Sequence, residues 1–202
     1  MRIHTYVIAV DAGSAPNYDS PFVTLTVCKP RIRRKAVVGD CVFAFAFAGG
    51  RVNPSDPHAV VWAGIVSEVV PLAEYWSDRR FAGKKPGRTA LPDNFYRPAR
   101  GGFIQVPNPI HGEDSLLRDI SGVNALVFDP AWRFGAYGPR LPAEFGLRMV
   151  GGRRGERICE LATEEWRKLH RWLTAQTPGL AQNESSNRFC SPPKRAVRKR
   201  QC

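Results

Sequence analysis

The sequence predicts an α+β protein, built as a small, mixed and strongly curved β-barrel with a C-terminal helix. Apolar runs with period-two alternation come mostly early in the chain, and one amphipathic helical segment comes late. The segment 41–48 puts phenylalanines on one face and alanines on the other, which suits a tightly curved sheet. Repeated strand–helix units are absent, and this argues against a doubly wound parallel sheet.

Five or six strands are predicted, each from β-branched or aromatic residues bounded by turn residues. Asp11-Ala12-Gly13 and Gly39-Asp40 supply two of these turns, and Gly64 predicts a bend inside the longest strand. In chain order the strands are 3–10, 22–28, 41–48, 59–70, a short segment at 103–106, and 123–128.

Two helices are predicted. Pro71 is suited to the first position of a short helix over 71–76. The helix over 163–176 has Thr163 as its N-cap, acidic residues in its first turn, and an apolar stripe that includes Leu169 and Leu173.

Composition limits the function classes. The chain has 202 residues and a net charge of +12, an excess that favours nucleic acids or other anionic partners. No apolar run approaches the roughly 20 residues of a membrane helix, and the N-terminal residues do not resemble a secretion signal. The five cysteines form no C-x-x-C pair, so we expect free thiols and neither disulfides nor structural zinc. These observations predict a cytoplasmic protein without a membrane contact.

The chain divides into a domain over 1–176 and a tail over 177–202. The tail is rich in Ser, Pro, Asn and Gln, has little to bury, and is predicted to be disordered. From Arg188 onward it holds six basic residues and no acidic one. We expect a solubilising or polyanion-attracting role, and a specific nucleic-acid contact is the alternative.

Two basic clusters in the body are candidate phosphate contacts. One lies within 29–35 and the other within 79–100, and the alternative for both is a solvated loop. The predicted phosphate-binding residues are Lys29, Arg31, Arg33, Arg34, Lys84 and Lys85.

Polar and aromatic residues beside these clusters are candidates for holding a base. An aromatic ring offers a face for stacking, whereas carboxylate, amide and imidazole groups can read the edge of a base. The predicted base-binding residues are Asp11, Asn17, Asn94, Tyr96, His111 and Phe134. Packing in the core is the alternative for the aromatic members of this set.

The sequence contains no phosphate-binding glycine motif and no G-x-S-x-G elbow, so no catalytic residue, metal or cofactor is predicted. Cys28 precedes a basic run and could pair with a histidine, but a buried structural cysteine at a strand end is the favoured interpretation. His111 with Glu113, Asp114 and Asp119 could ligate a divalent ion, although polar loop residues often show such spacing.

Several ordered motifs resemble the bacterial nucleotide modification associated domain 2 family over about residues 1 to 175. The first motifs are Asp11-x-Gly13-x-x-Pro16-Asn17, Cys28-Lys29-Pro30-x-Ile32-Arg33-Arg34 and Gly39-Asp40. They are followed by Glu74-Tyr75-Trp76-x-Asp78-x-Arg80-Phe81-x-x-Lys84-Lys85-Pro86, Asp93-Asn94-x-Tyr96, Asn108-x-x-His111 and Phe134-Gly135-x-x-Gly138-Pro139. The resemblance implies a link to systems that make or handle modified DNA bases in bacteria and phage. The chain departs from the family pattern at 45–50, where a Gly-rich strand end is usual, and the region 108–119 is compressed.

A more distant likeness concerns the fold. Gly39-Asp40 before an apolar strand, followed by Gly64-Ile65-Val66-x-Glu68-Val69, looks like the PUA-like superfamily, which includes EVE and ASCH domains. This resemblance implies a small mixed barrel, and several such barrels bind RNA or modified bases.

Three functions follow from the sequence. The first is a binding module that recognises a modified base in a nucleic acid, DNA in the first place, or in a nucleotide. The second is a base- or nucleotide-modifying enzyme that uses Asp11, Lys29, His111 and Asp114 as acid, base or metal-binding groups. The third is an accessory protein that docks on a modification enzyme through an exposed apolar patch around Trp166 and Trp172.

Overall fold

Six strands form one open, mixed sheet in the computed structural model of the chain, which describes residues 1–48, 50–52, 56–150 and 155–176. β1 runs parallel to β3, and the other neighbouring strands are antiparallel. In order across the sheet the strands are β2 (Val23–Leu25), β7 (Asn124–Arg133), β4 (Val60–Pro71), β3 (Cys41–Ala46), β1 (Arg2–Ile8) and β8 (Glu156–Glu160). A separate antiparallel hairpin is formed by β5 (Tyr96–Ala99) and β6 (Gly102–Gln105).

Short helices surround this sheet. The described residues form α1 (Pro30–Lys35), α2 (Leu72–Ser77), α3 (Leu116–Ile120), α4 (Ala143–Met149) and α5 (Thr163–Ala175). Three 3-10 turns complete the elements, at Arg79–Lys84, Glu113–Ser115 and Gly135–Tyr137.

The α+β class is confirmed, but the predicted barrel is not found in the described part of the chain. The edge strands β2 and β8 each pair with one neighbour and do not meet. β2 has only three residues, because the chain leaves the sheet after Leu25 to enter the turn that precedes α1. The likeness to PUA-like barrels is therefore not supported.

The alternation in β3 is confirmed, and both faces of the strand are buried. Phe43 and Phe45 pack with residues of α4 and α5 on one face of the sheet. Ala44 packs on the other face with Trp62. The bend at Gly64 is confirmed as well: the register with β7 shifts there, and a Cβ at Gly64 would lie 2.9 Å from the Phe128 ring.

Helix α5 is the helix that the sequence predicts best, and Leu169 and Leu173 are buried as expected. Trp166 and Trp172 are half-buried against the same core cluster. An accessory protein would need an exposed apolar patch at these tryptophans. The prediction of such a patch is therefore wrong.

Other elements differ from the prediction. The basic run at 29–35 is helix α1 rather than a loop, and the strand predicted at 22–28 covers only Val23–Leu25. The predicted tail over 177–202 lies outside the described residues. No helix in the described part of the chain has the length and apolarity needed to cross a membrane.

Three elements outside the main sheet meet at the turn after β2. The hairpin β5–β6 and helix α3 share a small core that contains Val27, Phe95 and Tyr96. Helix α1 packs against α3 from the other direction. This arrangement brings the segments around residues 28, 111 and 119 together, although they are distant in sequence.

A candidate cysteine–histidine–aspartate site

Cys28, His111 and Asp119 form a compact cluster of polar contacts. The Cys28 Sγ lies 3.4 Å from His111 Nε2, and His111 Nδ1 lies 2.5 Å from Asp119 Oδ2. The imidazole thus stands between a thiol and a carboxylate, with one ring nitrogen facing each. Nucleophile, base and orienting acid have this order in thiol-dependent enzymes.

The backbone at Cys28 has an unusual conformation. Cys28 and Lys29 are consecutive non-glycine residues in the left-handed region, with φ values of 56° and 42°. Such a conformation costs of order 1–3 kcal/mol for each residue and is found preferentially at functional sites. The Cys28 N–H donates to Asp119 Oδ1 at 3.0 Å, so the acid of the site also anchors the turn that carries the thiol.

The loop that carries His111 is held by two polar side chains. The Asn108 side-chain oxygen accepts from the backbone N–H groups of Ile110 and His111, both at 2.9 Å. The Gln105 amide donates to the His111 carbonyl at 2.7 Å. The imidazole is also edge-to-face with the buried Phe95 ring. These contacts set the direction in which the imidazole projects.

Asp119 is fully buried and accepts several hydrogen bonds. The Tyr96 hydroxyl donates to Asp119 Oδ2 at 2.7 Å, and the Arg118 Nε lies 3.3 Å from Oδ1. Burial opposes ionisation of this carboxyl, but the hydrogen bonds from His111 and Tyr96 and the Arg118 charge hold its pKa below the usual value. Asp119 is therefore a carboxylate at neutral pH.

Arg33 clamps the backbone of the site. Its guanidinium donates to the carbonyls of Cys28 and Asn124 at 2.8 Å each, and also to the carbonyl of Asp119. Gly122 leaves room for it, since a Cβ there would lie 2.4 Å from the guanidinium carbon. Burial lowers the pKa of Arg33 to about 10, so this residue remains a cation at neutral pH.

The electrostatics of His111 favour a charged imidazole. Burial works against the charge, but the hydrogen bonds to Asp119 and Cys28 outweigh it and raise the pKa of His111 to about 9. An imidazolium next to sulphur stabilises a thiolate, which is the nucleophilic form of cysteine. The site thus places a thiol beside an imidazolium that is oriented by a carboxylate.

Cys28 faces a cleft of about 330 Å³. Its walls are mainly apolar and come from β1, the loop that follows β1, and Phe47. Lys29, adjacent to the thiol in sequence, also lines the cleft and places its ammonium 4.3 Å from the centre of the Tyr6 ring. A small molecule therefore has space beside the sulphur.

The same three side chains could be considered as metal ligands, since their donor atoms all lie within 4.8 Å of one another. Each nitrogen of His111 already has a protein partner, Cys28 at Nε2 and Asp119 at Nδ1. A single ion bound by the sulphur, one ring nitrogen and a carboxylate oxygen would replace one of these two contacts. The cluster therefore has the residue types for proton transfer through His111 and for binding of a divalent ion.

The structure brings four of the sequence-predicted residues to this site. Lys29 lines the cleft, and His111 contacts the thiol. Tyr96 is buried and bonded to Asp119, so it supports the site rather than offering its ring to a base. Arg33 is completely buried on backbone carbonyls, so the phosphate contact predicted for it is wrong.

Three other predicted residues belong to a separate buried network next to Asp93. The Lys84 ammonium donates to the Asn17 side-chain oxygen at 2.6 Å and to the Asp19 carbonyl at 2.8 Å. The Asn94 amide donates to two backbone carbonyls. These side chains stabilise loops, and their burial contradicts the base and phosphate contacts predicted for Asn17, Asn94 and Lys84.

The remaining predicted residues are spread over the molecule. Phe134 is in the core, and Asp11 is paired with Arg133 at 3.3 Å. Lys85 lies over the Trp76 ring, whereas Arg31, Arg34 and Asp114 are exposed. Phosphate contacts by Arg31, Arg34 and Lys85 remain predictions.

The sequence analysis grouped His111 with Asp119 as possible metal ligands and allowed Cys28 a histidine partner, but it did not join the three residues in one site. The favoured interpretation of Cys28 as a buried cysteine at a strand end is wrong, because β2 ends at Leu25 and the thiol is half-buried next to His111. The available signal was a cysteine followed by Lys-Pro, and a histidine with an acid eight residues later.

The model of the nucleotide modification associated domain 2 family matches residues 1–191. Comparisons with curated proteins and with solved structures gave no significant match. The family match covers nearly the whole chain, including each residue of the cysteine–histidine–aspartate site. The chain therefore belongs to the nucleotide modification associated domain 2 family.

Proposed function

We propose that this protein is a thiol-dependent enzyme of a nucleotide-modification system, which transfers or hydrolyses an acyl group through Cys28. The observation that carries the proposal is the alignment of Cys28, His111 and Asp119 beside a cleft large enough for a small molecule. Family membership supports a role in nucleotide modification. The substrate is then a nucleotide, a base, or the group being attached to one.

The reaction would begin with attack by the Cys28 thiolate on the carbonyl carbon of an ester or amide. A carbon–sulphur bond forms, and the carbonyl oxygen takes up the electron pair. As the carbon–heteroatom bond breaks, His111 gives its proton to the departing oxygen or nitrogen, and a thioester remains. His111 then removes a proton from the incoming water or amine, which attacks the thioester and returns the thiol.

Lys29 offers a donor for the developing oxyanion. Its backbone N–H follows the nucleophile directly, and within the described part of the chain it donates to no other group. The residue after the nucleophile supplies such a donor in many acyl-transfer sites. The left-handed turn at 28–29 thus has a chemical use that offsets its conformational cost.

Exposed cations near the site support a nucleotide-containing substrate. Arg31, Arg34 and Lys35 are exposed on α1, and Arg97 and Arg100 are exposed on the hairpin β5–β6. Both elements pack near α3, which carries Asp119. Cations on both elements that neighbour the site favour an anionic ligand. Because the family is associated with nucleotide modification, phosphate groups are favoured over an acidic peptide.

A burst assay with p-nitrophenyl acetate tests the chemistry. We expect a burst of p-nitrophenol equal to the enzyme concentration, with one acetyl group on the Cys28 peptide. Cys28→Ala should abolish the burst, and His111→Asn should slow it, whereas Cys159→Ala, at a half-buried cysteine outside the site, is the matched control. A burst of equal size in Cys28→Ala would contradict the proposal.

The second candidate function is recognition of a modified base without chemistry. The observation that favours it is the charge of +12, which suits binding to nucleic acid by itself. A titration with plain and modified single-stranded and duplex DNA at several salt concentrations tests this function. Preference for one base that persists at high salt, together with no acetyl transfer to Cys28, would favour the binding module over the enzyme.

A further inference from the structure

The cleft beside Cys28 contains one charged group near the thiol and is otherwise mainly apolar. Tyr6, Ile8, Ala15 and Phe47 contribute apolar surface, and Ser14 contributes a hydroxyl. A binding site of this kind orients its ligand through a few polar groups, while the apolar walls supply area. The charged group therefore determines which ligands are held in a productive direction.

That group is the Lys29 ammonium, and it has no anionic partner. Within the described residues no carboxylate lies within ion-pair distance of it, and its one recorded contact is with the Tyr6 ring. Glu156 is opposite Tyr6 on the adjacent strand and influences Lys29 through space, but it makes neither a hydrogen bond nor an ion pair with it. Because a partly buried charge is costly without an opposite charge, we expect this cation to bind an anionic ligand.

The backbone fixes the relation between this cation and the nucleophile. Cys28 and Lys29 are adjacent, and both have left-handed conformations that Arg33 and Asp119 hold through the Cys28 carbonyl and N–H. The contact with the Tyr6 ring holds the ammonium on the wall of the cleft that the thiol also lines. The other carboxylate of the site, Asp119, makes no ion pair with Lys29; its oxygens are bonded to the Cys28 N–H, the Tyr96 hydroxyl and His111.

We propose that Lys29 binds an anionic group of the substrate, a carboxylate or a phosphate, close to the carbon that Cys28 attacks. This inference rests on the proposed function and names its substrate class: a small acyl compound or nucleotide with one negative charge near the reacting carbon. Neutral substrates of the same size would fit the apolar walls but would not be oriented.

Two alkylating probes that differ mainly in charge test this inference on the full chain. Iodoacetate and iodoacetamide both react when a thiolate sulphur bonds to their methylene carbon and iodide leaves. An ordinary thiolate repels the carboxylate of iodoacetate and prefers the neutral amide. We expect the opposite order at Cys28, with iodoacetate favoured by about fivefold to tenfold, which is the effect of one partly buried ion pair. Peptide mapping by mass spectrometry separates Cys28 from the other cysteines.

Lys29→Gln is the test variant and Lys35→Gln is its matched control. Both remove one positive charge from the same short segment, but Lys35 is exposed and does not line this cleft. In Lys29→Gln the rate with iodoacetate should fall more than the rate with iodoacetamide, so that the ratio of the two rates loses its preference for iodoacetate. Lys35→Gln should keep the preference. Equal loss in both variants would show a general effect of net charge and would overturn the inference.

The outcomes separate this inference from the proposed function. Slow alkylation of Cys28 by both probes, no faster than that of a free thiol, would contradict the activated nucleophile itself. Fast alkylation without a charge preference would leave the nucleophile intact and overturn the role of Lys29. Protection by acetate but not by inorganic phosphate would identify a carboxylate ligand, and protection by phosphate would identify a phosphate ligand. Both results support the anionic class.

Discussion

At the scale of single residues, the function of the site depends on how a thiol and a carboxylate share one imidazole. His111 is mostly buried, with 14% of its side chain exposed, and both of its nitrogens have partners. Folding raises the pKa of this histidine, so the folded chain binds the proton more tightly than the unfolded chain does. The free energy of unfolding therefore depends on the protonation of His111.

The stability contributed by His111 should depend on pH in a defined direction. Its folded pKa of about 9 is above the unfolded value of 6.5, so the contribution is fully present below about pH 6.5. It falls as pH rises and is lost near pH 9, with a total of up to about 3 kcal/mol. Urea unfolding of the wild type and His111→Asn at pH 6, 7.5 and 9.5 measures this; a constant difference across that range would disprove it.

Gly122 is a position where one methyl group should disturb the site. A Cβ at Gly122 would meet the Arg33 guanidinium, and the guanidinium holds the carbonyls of Cys28 and Asp119. We expect Gly122→Ala to destabilise the protein by about 1–3 kcal/mol and to slow alkylation of Cys28. Gly83→Ala is the matched control, because a Cβ there meets nothing within 4 Å. Equal stability of the two variants would argue against the clamp by Arg33.

At the scale of elements, the helices and strands whose pattern lies within a single segment of sequence were predicted correctly. The alternation in β3 and the stripe of α5 depend on the local sequence, and both elements were predicted with nearly their observed bounds. The short strand predicted at 103–106 corresponds to β6, whereas β5 and helices α1 and α3 are four to six residues long, too short for a period to be recognised.

The site itself was predicted only in part for the same reason. Cys28 and His111 are 83 positions apart, and their contact depends on the packing of the hairpin and α3. Arg33 and Lys84 belong to basic runs that resemble phosphate-binding segments, but the fold uses their charge to satisfy buried oxygens. Composition cannot distinguish these uses.

The conformation of the loop between β6 and α3 should affect the reactivity of the Cys28 thiol, because this loop carries His111. Asn108 accepts two backbone hydrogen bonds that shape the loop at His111. Asn108→Ala should lower stability by about 1 kcal/mol and slow alkylation of Cys28 because the imidazole is no longer held. The measurement is the rate at Cys28 relative to Cys159 in the same sample. Unchanged relative rates would show that the Phe95 and Asp119 contacts suffice to position the ring.

At the scale of the whole molecule, the cysteine–histidine–aspartate site and the basic residues of the predicted tail lie in different parts of the chain. The triad and its cleft lie within the described domain, whereas six basic residues of the predicted tail lie beyond it. Deletion of 183–202 should weaken duplex DNA binding at low salt without changing thermal unfolding or Cys28 reactivity. Loss of the thermal transition, or of Cys28 reactivity, would show that the tail is part of the domain.

We expect His111 and Asp119 to activate Cys28 as a nucleophile. The most direct measurement is the rate of Cys28 alkylation by iodoacetamide between pH 5 and pH 9, in the wild type, His111→Asn and Asp119→Asn. We predict that the wild type reacts at least about tenfold faster than either variant at pH 7, because only a thiolate reacts appreciably. Identical pH profiles in all three proteins would mean that Cys28 is an ordinary thiol, and would contradict the account.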